Sequence, residues 1–111
     1  MTYKKWDVVA VPFPFIEGTE AKKRPALIVS SEILRAGHGL YWAMMITTAK
    51  AGVRADDIRV GNSVGAGLPV DCVIRPSRMT TLGESQIERR VGSIGPKERN
   101  AVTATIRRYI G

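Results

Sequence analysis

The stretch LYWAMMITT, residues 40–48, has the most regular alternation of side chains in the chain. Successive side chains of a strand point to opposite faces, so a period of two indicates a strand. The alternation gives one face with Leu40, Trp42, Met44 and Ile46 and another with Tyr41, Ala43, Met45 and Thr47. We therefore predict a strand over these nine residues and arrange the rest of the fold around it.

Further short strands are predicted on both sides of this stretch. Residues 7–15 repeat the period of two, with Val9 and Val11 on one face. Pro12 and Pro14 fall on the other face and indicate an edge or a bend. Residues 16–23 are polar and are predicted to form a loop. The remaining predicted strands span residues 26–30, 57–60, 72–75, 79–82 and 89–94.

Helix signals are few. Residues 32–35 fit one helical turn before Gly37-His38-Gly39, and Gly95-Pro96 has the form of a helix start. The apolar stripe of the second helix consists of Val102, Ile106, Tyr109 and Ile110. Many short strands and one terminal helix predict a mainly β fold, a small curved antiparallel β-barrel with a C-terminal α-helix, forming a single domain over residues 1–111.

The charge of the chain indicates a polyanionic partner. Seventeen Lys and Arg against ten Asp and Glu give a net charge of +7 in 111 residues. Nucleic acid is the first candidate for such a domain, an acidic protein segment the second and a membrane surface the third. No signal peptide or membrane span is predicted, so we expect a cytoplasmic protein. Cys72 is the only cysteine and can form neither an internal disulfide nor a zinc site.

The chemistry available to the chain is limited by the residues it lacks. It has one histidine, His38, which excludes acid–base catalysis by two histidines, and no cluster at metal-ligand spacing. RNA cleavage is still possible because the RNA 2′-OH can attack the adjacent phosphorus itself. The protein then has to align the reacting atoms and stabilise the added negative charge, which arginine and threonine side chains can do without a metal or other cofactor.

Several motifs occur in order along the chain. Gly18-Thr19-Glu20 precedes Arg24-Pro25 and an apolar strand, Met45-Ile46-Thr47-Thr48 ends the next strand, and Asp71–Arg75 and Arg90–Ile94 follow. Together they resemble the MazF/PemK toxins of type II toxin–antitoxin systems over about the whole chain. The resemblance implies the Src-homology-3-like barrel of the plasmid maintenance toxin fold. It also implies an endoribonuclease that leaves 2′,3′-cyclic phosphate and 5′-OH ends on single-stranded RNA.

The resemblance also implies the site residues. Arg24 matches the catalytic arginine and Thr47 the catalytic threonine, although Thr48 takes its place if the register is shifted by one. Glu20 matches an acid that some members use in proton transfer, or is a solvated loop acid. Arg75 matches an arginine of the PemK-like branch and otherwise needs a structural partner. That branch has an aspartate two residues later, where this chain has Ser77.

The expected RNA-binding residues surround this group and are Lys22, Lys23, Thr48, Arg75 and Ser77. Base stacking is open to Trp6, Tyr41 and Trp42, but Trp6 and Trp42 fit core or dimer contacts better. The resemblance further implies a homodimer and an acidic antitoxin whose tail competes with RNA. Two alternatives remain: a toxin of the same fold that poisons DNA gyrase without cutting, and an RNA-binding barrel without cleavage. No role is predicted for residues 49–68.

Overall fold

The computed structural model describes residues 2–13 and 22–111, with Phe13 and Lys22 described by their backbone only. Glu20 therefore lies outside the described residues. The elements in chain order are β1 (Asp7–Phe13), β2 (Lys22–Ile28), α1 (Glu32–His38), β3 (Leu40–Thr48), β4 (Ile58–Arg59), β5 (Cys72–Gly83), β6 (Arg89–Ser93) and α2 (Pro96–Ile110). No helix in this part of the chain is long and apolar enough to cross a membrane.

The strands form one curled antiparallel sheet in the order β4-β5-β3-β2-β1-β6. β3 begins and ends where the alternation of residues 40–48 predicts, and it pairs with β2 on one side and β5 on the other. The mainly β class, the antiparallel pairing and the C-terminal helix are thus confirmed. The sheet is curled but open, since β4 and β6 are its two edges.

Both faces of the sheet are buried over part of their length. One face carries the helix-side core, which α2 completes with Val102 and which contains Val8, Leu27, Met44, Ile46 and Ile74. The other face carries the second core, which contains Tyr3, Val9, Val11, Ala26, Ile28, Tyr41, Ala43, Leu82 and Ile87. The alternation of β1 and β3 therefore separates two apolar cores.

β5 corrects the prediction of two separate strands over residues 72–75 and 79–82. It is one twelve-residue strand, Cys72–Gly83, with an irregularity where its pairing to β3 shifts. Met44 pairs with Met79, whereas the next residue, Met45, pairs with Arg75. Residues 76–78 are therefore a bulge, and Pro76 in it has no N–H to donate to a ladder.

Among the other boundaries, two differ most from the sequence prediction. β2 begins at Lys22, so Lys22 and Lys23 belong to a strand paired with β1 and not to the predicted loop. α1 extends beyond one turn to His38. Gly39 ends it in the left-handed conformation (φ 66°), with its N–H donating to the carbonyl of Arg35 at 2.8 Å.

Two glycines allow the loop before β5 to lie directly on β6. A Cβ added at Gly92 would lie 2.3 Å from the carbonyl carbon and oxygen of Ala66. A Cβ at Gly67, where φ is +77°, would lie 2.0 Å from the carbonyl oxygen of Val91. Any larger residue at either position would push two backbones apart.

We predict that Gly92→Ala lowers the free energy of unfolding by about 2 kcal/mol, because overpacking against backbone cannot be relieved by a rotamer change. Urea unfolding followed by circular dichroism measures it. Gly37→Ala is the matched control, since Gly37 lies in α1 with no atom near its added Cβ, and the change favours the helix. Equal unfolding midpoints for the two variants would contradict the close approach at Gly92.

Candidate active site

The register of the central strands places Arg24 and Thr47 on the same face of the sheet. Ala26 pairs with Met45 and Ile28 with Ala43, and the same register continued by two residues aligns Arg24 with Thr47. Directly opposed residues of antiparallel strands point to the same face. Arg24 and Thr47 therefore share the face of the second core, where each strand continues beyond that core.

Arg24 has a polar atom that the described residues do not satisfy. Its Nε is buried and has no hydrogen-bond partner among them. Leaving a buried donor unpaired costs about 1–3 kcal/mol, and more for a charged group, so such atoms are rare. A buried guanidinium N–H without a partner is therefore a ready donor for an anion at this position.

The same register separates Thr47 from Thr48. Thr47 is 9% exposed and faces the side of Arg24. Thr48 is exposed and pairs with Cys72, whose side chain belongs to the helix-side core on the other face. The geometry thus favours Thr47 as the threonine beside Arg24.

Arg75 lies on the same face as Thr47, because it pairs with Met45, two residues before Thr47 on β3. Its guanidinium is engaged by Asp57. Nε donates to the two carboxylate oxygens at 3.1 and 3.3 Å, and Nη2 donates to Oδ2 at 2.9 Å and to the carbonyl of Gly52 at 3.1 Å. The structural partner that a buried strand arginine requires is therefore present.

No local pattern in the sequence points to Asp57. Asp57 stands in the sequence only as the start of a predicted strand, and the need of Arg75 for a partner or a phosphate does not indicate which residue would meet it. β4 pairs with β5 through Ile58 and Ile74, and this register continued by one residue aligns Asp57 with Arg75. A contact between residues 18 positions apart depends on that pairing, which no local pattern reveals.

The carboxylate of Asp57 is ionised in this setting. Its side chain is 1% exposed. Burial by itself raises the pKa of Asp57. The hydrogen bonds from Arg75 and from the backbone N–H of Arg54, with the charges of both arginines, outweigh it and hold the pKa below the usual value.

The other proposed site residues are not gathered with these three. Lys23 pairs with Pro12 on the opposite parity from Arg24, and its Nζ donates to Glu88 at 2.8 Å on the surface. Ser77 is exposed in the β5 bulge. The structure therefore brings Arg24, Thr47 and Arg75 to one face and leaves Lys23, Thr48 and Ser77 outside the group.

The aromatic residues considered for stacking differ in exposure. Tyr41 is 2% exposed, and its hydroxyl accepts a hydrogen bond from the N–H of Tyr3 at 3.1 Å, so it has no free face for a base. Trp6 packs partly buried against the helix-side core. Trp42 is 49% exposed and lines a groove of about 1240 Å³ between α1 and the end of α2. Of the three, only Trp42 offers a large accessible surface.

We predict that Asp57→Asn destabilises the fold by about 3 kcal/mol at pH 7, because removing one partner of a buried pair leaves the Arg75 charge uncompensated. Since the folded-state pKa of Asp57 is lowered, its contribution is present above the unfolded pKa of about 3.9 and is lost as pH falls through the folded value. The difference from wild type in urea unfolding should therefore narrow in acid.

The control for this measurement is Asp56→Asn, which removes the same charge one residue earlier. Asp56 is more exposed and contacts Arg108 and Tyr109, so its loss should cost much less. An equal loss of stability for the two variants, or one that does not narrow below pH 4, would rule out a buried ionised pair at Asp57.

Comparison with known proteins agrees with this architecture. Residues 4–110 match the model of the PemK-like, MazF-like toxin of type II toxin–antitoxin systems. MazF from Deinococcus radiodurans superposes with a TM-score of 0.77 at 18% identity, covering 100% of this chain and 98% of that one. No curated protein matches the sequence significantly.

Two mycobacterial structures also superpose on this chain. An endoribonuclease solved in complex with its cognate antitoxin gives a TM-score of 0.75 at 17% identity, covering 98% of this chain and 93% of that one. The Mycobacterium tuberculosis toxin MazF-mt6 gives 0.71 at 20% identity, with 90% and 91% covered. At such identities the superpositions establish the fold, and the match over residues 4–110 establishes the family. The chain belongs to the PemK-like, MazF-like toxins of type II toxin–antitoxin systems.

Proposed function

We propose that the chain is an endoribonuclease that cleaves single-stranded RNA without a metal. The observation that supports this most directly is the buried Nε of Arg24, which has no hydrogen-bond partner among the described residues. Arg24 lies on the face that it shares with Thr47 and Arg75. A donor of this kind suits a phosphodiester oxygen. A mycobacterial structural neighbour is an endoribonuclease, which points to the same reaction class.

The proposed reaction needs no nucleophile from the protein. The 2′-oxygen of one ribose forms a bond to the adjacent phosphorus while the bond from phosphorus to the 5′-oxygen breaks. One proton leaves the 2′-OH and one reaches the 5′-oxygen, so the products are a 2′,3′-cyclic phosphate and a 5′-OH end. The barrier falls when the two oxygens are held in line and the negative charge on the phosphoryl oxygens is stabilised.

The residues divide these tasks. Arg24 would stabilise the charge on the phosphoryl oxygens, since a guanidinium presents several donors in a fixed plane. Thr47 would donate a directed hydrogen bond to one of those oxygens, and Arg75 would make a second phosphate contact. Glu20 would carry the proton. Lys22, Lys23, Thr48 and Ser77 would contact the RNA on either side of the cut.

The expected partners follow from the charge and from the neighbours. Several neighbouring structures contain MazF with MazE or an endoribonuclease with its antitoxin. We propose that this chain likewise forms a homodimer and binds an acidic antitoxin. An acidic tail would compete with RNA for the excess of cations that gives the chain its charge of +7. Such a toxin meets its RNA in the cytoplasm.

The first experiment incubates the chain with a long single-stranded RNA in EDTA. We expect discrete cuts with 2′,3′-cyclic phosphate and 5′-OH ends, slowed by about 10²-fold or more in Arg24→Ala. Arg107→Ala is the matched control, because it removes the same charge from the exposed side of α2. A single 2′-deoxynucleotide at the cut should block cleavage there.

Intact RNA with folded wild-type protein would refute the proposed cleavage. Growth arrest that persists with Arg24→Ala would then favour gyrase poisoning, whereas RNA binding without cleavage would favour the RNA-binding barrel.

A second experiment compares the two threonines. Thr47→Val keeps the shape of the side chain but removes its hydroxyl, and it should slow single-turnover cleavage by about 10-fold or more. Thr48→Val should alter RNA affinity while the rate at saturating protein changes far less, since Thr48 faces the other side of the sheet. The opposite pattern would exchange the roles of the two residues.

A further inference from the structure

The Arg75–Asp57 pair has a geometry that holds the guanidinium in one orientation. Nε and Nη2 of Arg75 are both bonded to the Asp57 carboxylate, and Nη2 also reaches the carbonyl of Gly52. Only 8% of the Arg75 side chain and 1% of the Asp57 side chain are exposed. The third guanidinium nitrogen, Nη1, takes no part in these bonds. The plane of the guanidinium is thus fixed while one nitrogen stays outside the pair.

Asp57 is itself held from several sides. Its carboxylate accepts a hydrogen bond from the N–H of Arg54 at 2.7 Å, and its own N–H donates to the carbonyl of Arg54 at 3.1 Å. Ile58 and Arg59, directly after it, form the β4 ladder with β5. The carboxylate is therefore fixed to the strand that carries Arg75.

The preceding residue ties the same turn to the C-terminal helix. Asp56 accepts hydrogen bonds from Nη2 of Arg108 at 3.1 Å and from the hydroxyl of Tyr109 at 2.9 Å. Its φ of 67° lies in the left-handed region, where aspartate is enriched relative to most residues other than glycine. These contacts join the turn to α2, whereas Asp57 itself is held by its hydrogen bonds with Arg54 and by the β4 ladder.

We propose that Asp57 is a positioning residue, which orients Arg75 so that the guanidinium meets the RNA phosphate beside Arg24 and Thr47. This inference rests on the proposed ribonuclease function. Arginine loses less conformational entropy per hydrogen bond when its planar fork is already fixed. A catalytic group displaced by about 1 Å can lose 10²-fold in rate. Asp57 is not the proton carrier, since it is buried and shares its proton-accepting oxygens with Arg75 and Arg54.

Charge alone and positioning of Arg75 predict opposite effects of Asp57→Asn. Asp57→Asn raises the net charge by one, and by electrostatics alone a more cationic protein binds RNA more tightly. If Asp57 positions Arg75, this variant must instead cleave RNA more slowly and bind it more weakly, because Arg75 loses its orientation. Asp56→Asn has the same charge change without contact to Arg75 and separates the two effects.

The test measures single-turnover cleavage of one RNA by five proteins: wild type, Asp57→Asn, Arg75→Ala, the double variant and Asp56→Asn. All are assayed below their unfolding temperatures. We expect Asp57→Asn to be slower than wild type by about 10-fold or more. The double variant should be no slower than Arg75→Ala, since residues that act through one another are not additive. Asp56→Asn should stay near the wild-type rate.

Other outcomes overturn the proposal. Wild-type or faster cleavage by Asp57→Asn excludes positioning, and a double variant much slower than Arg75→Ala gives Asp57 a separate role. If Asp57→Asn does not fold, Arg75→Lys replaces it. Lysine keeps the charge but cannot bond Asp57 and Gly52 with a fixed fork, so cleavage should still fall. Wild-type cleavage by Arg75→Lys would then exclude an oriented guanidinium.

A parallel binding assay keeps the inference separate from the proposed function. If the wild-type protein binds a 2′-O-methyl RNA but cuts no RNA, the proposed ribonuclease function is refuted. The positioning of Arg75 by Asp57 is then tested by RNA affinity alone. Arg75→Ala should lower the log–log salt slope by about 0.7, and Asp57→Asn should bind more weakly than Asp56→Asn. Tighter or equal binding by Asp57→Asn, or no RNA binding by wild type, would overturn the inference.

Discussion

β3 is buried on both of its faces, and this double burial fixes the register of the sheet. Met44 and Ile46 belong to the helix-side core, while Tyr41 and Ala43 belong to the second core on the other face. A slip of one residue would exchange these two sets, with side chains of different size entering each core. Because β3 pairs with both β2 and β5, its register determines which residues of those two strands stand opposite one another across the sheet.

The candidate site is a consequence of that register. Beyond the second core the same face continues with Arg24, Thr47 and Arg75, so polar and cationic groups replace apolar ones where the apolar packing ends. Two of the groups are balanced differently. Arg75 is bound to Asp57 through Nε and Nη2, whereas Arg24 retains a buried donor without a partner among the described residues. A phosphate would satisfy the buried donor of Arg24 without breaking the bonds between Arg75 and Asp57.

The distribution of charge also favours a polyanionic partner. The carboxylates of Asp7, Asp56, Asp57 and Glu88 are used in ion pairs with Arg90, Arg108, Arg75 and Lys23. These pairs join segments far apart in sequence and restrain the turn before β4 and the strand β6. The net charge of +7 therefore reflects basic side chains that the acids do not balance, and that surplus is what a polyanion would meet.

The sequence alone determined the elements whose signals are local. The alternation of residues 40–48 gave the bounds of β3, and Gly95-Pro96 with its apolar stripe gave the start of α2, because a period and a capping pattern are properties of neighbouring residues. The motifs around Arg24 and Thr47 indicated the family that the comparison establishes. Arg75 was recognised as a residue that needs a partner or a phosphate, without an indication of which.

Only the tertiary structure decided the rest, since each remaining feature depends on which strands become neighbours. The pairing of β4 with β5 brings Asp57 to Arg75, and pairing with β1 extends β2 to Lys22 through residues that resemble a loop. The two strands predicted over residues 72–75 and 79–82 form one strand with a bulge at residues 76–78, because β3 pairs with both parts. That Thr47, and not Thr48, shares the face of Arg24 likewise depends on the register. Local patterns specify which way a side chain points relative to its neighbours, but only packing in three dimensions specifies what it faces.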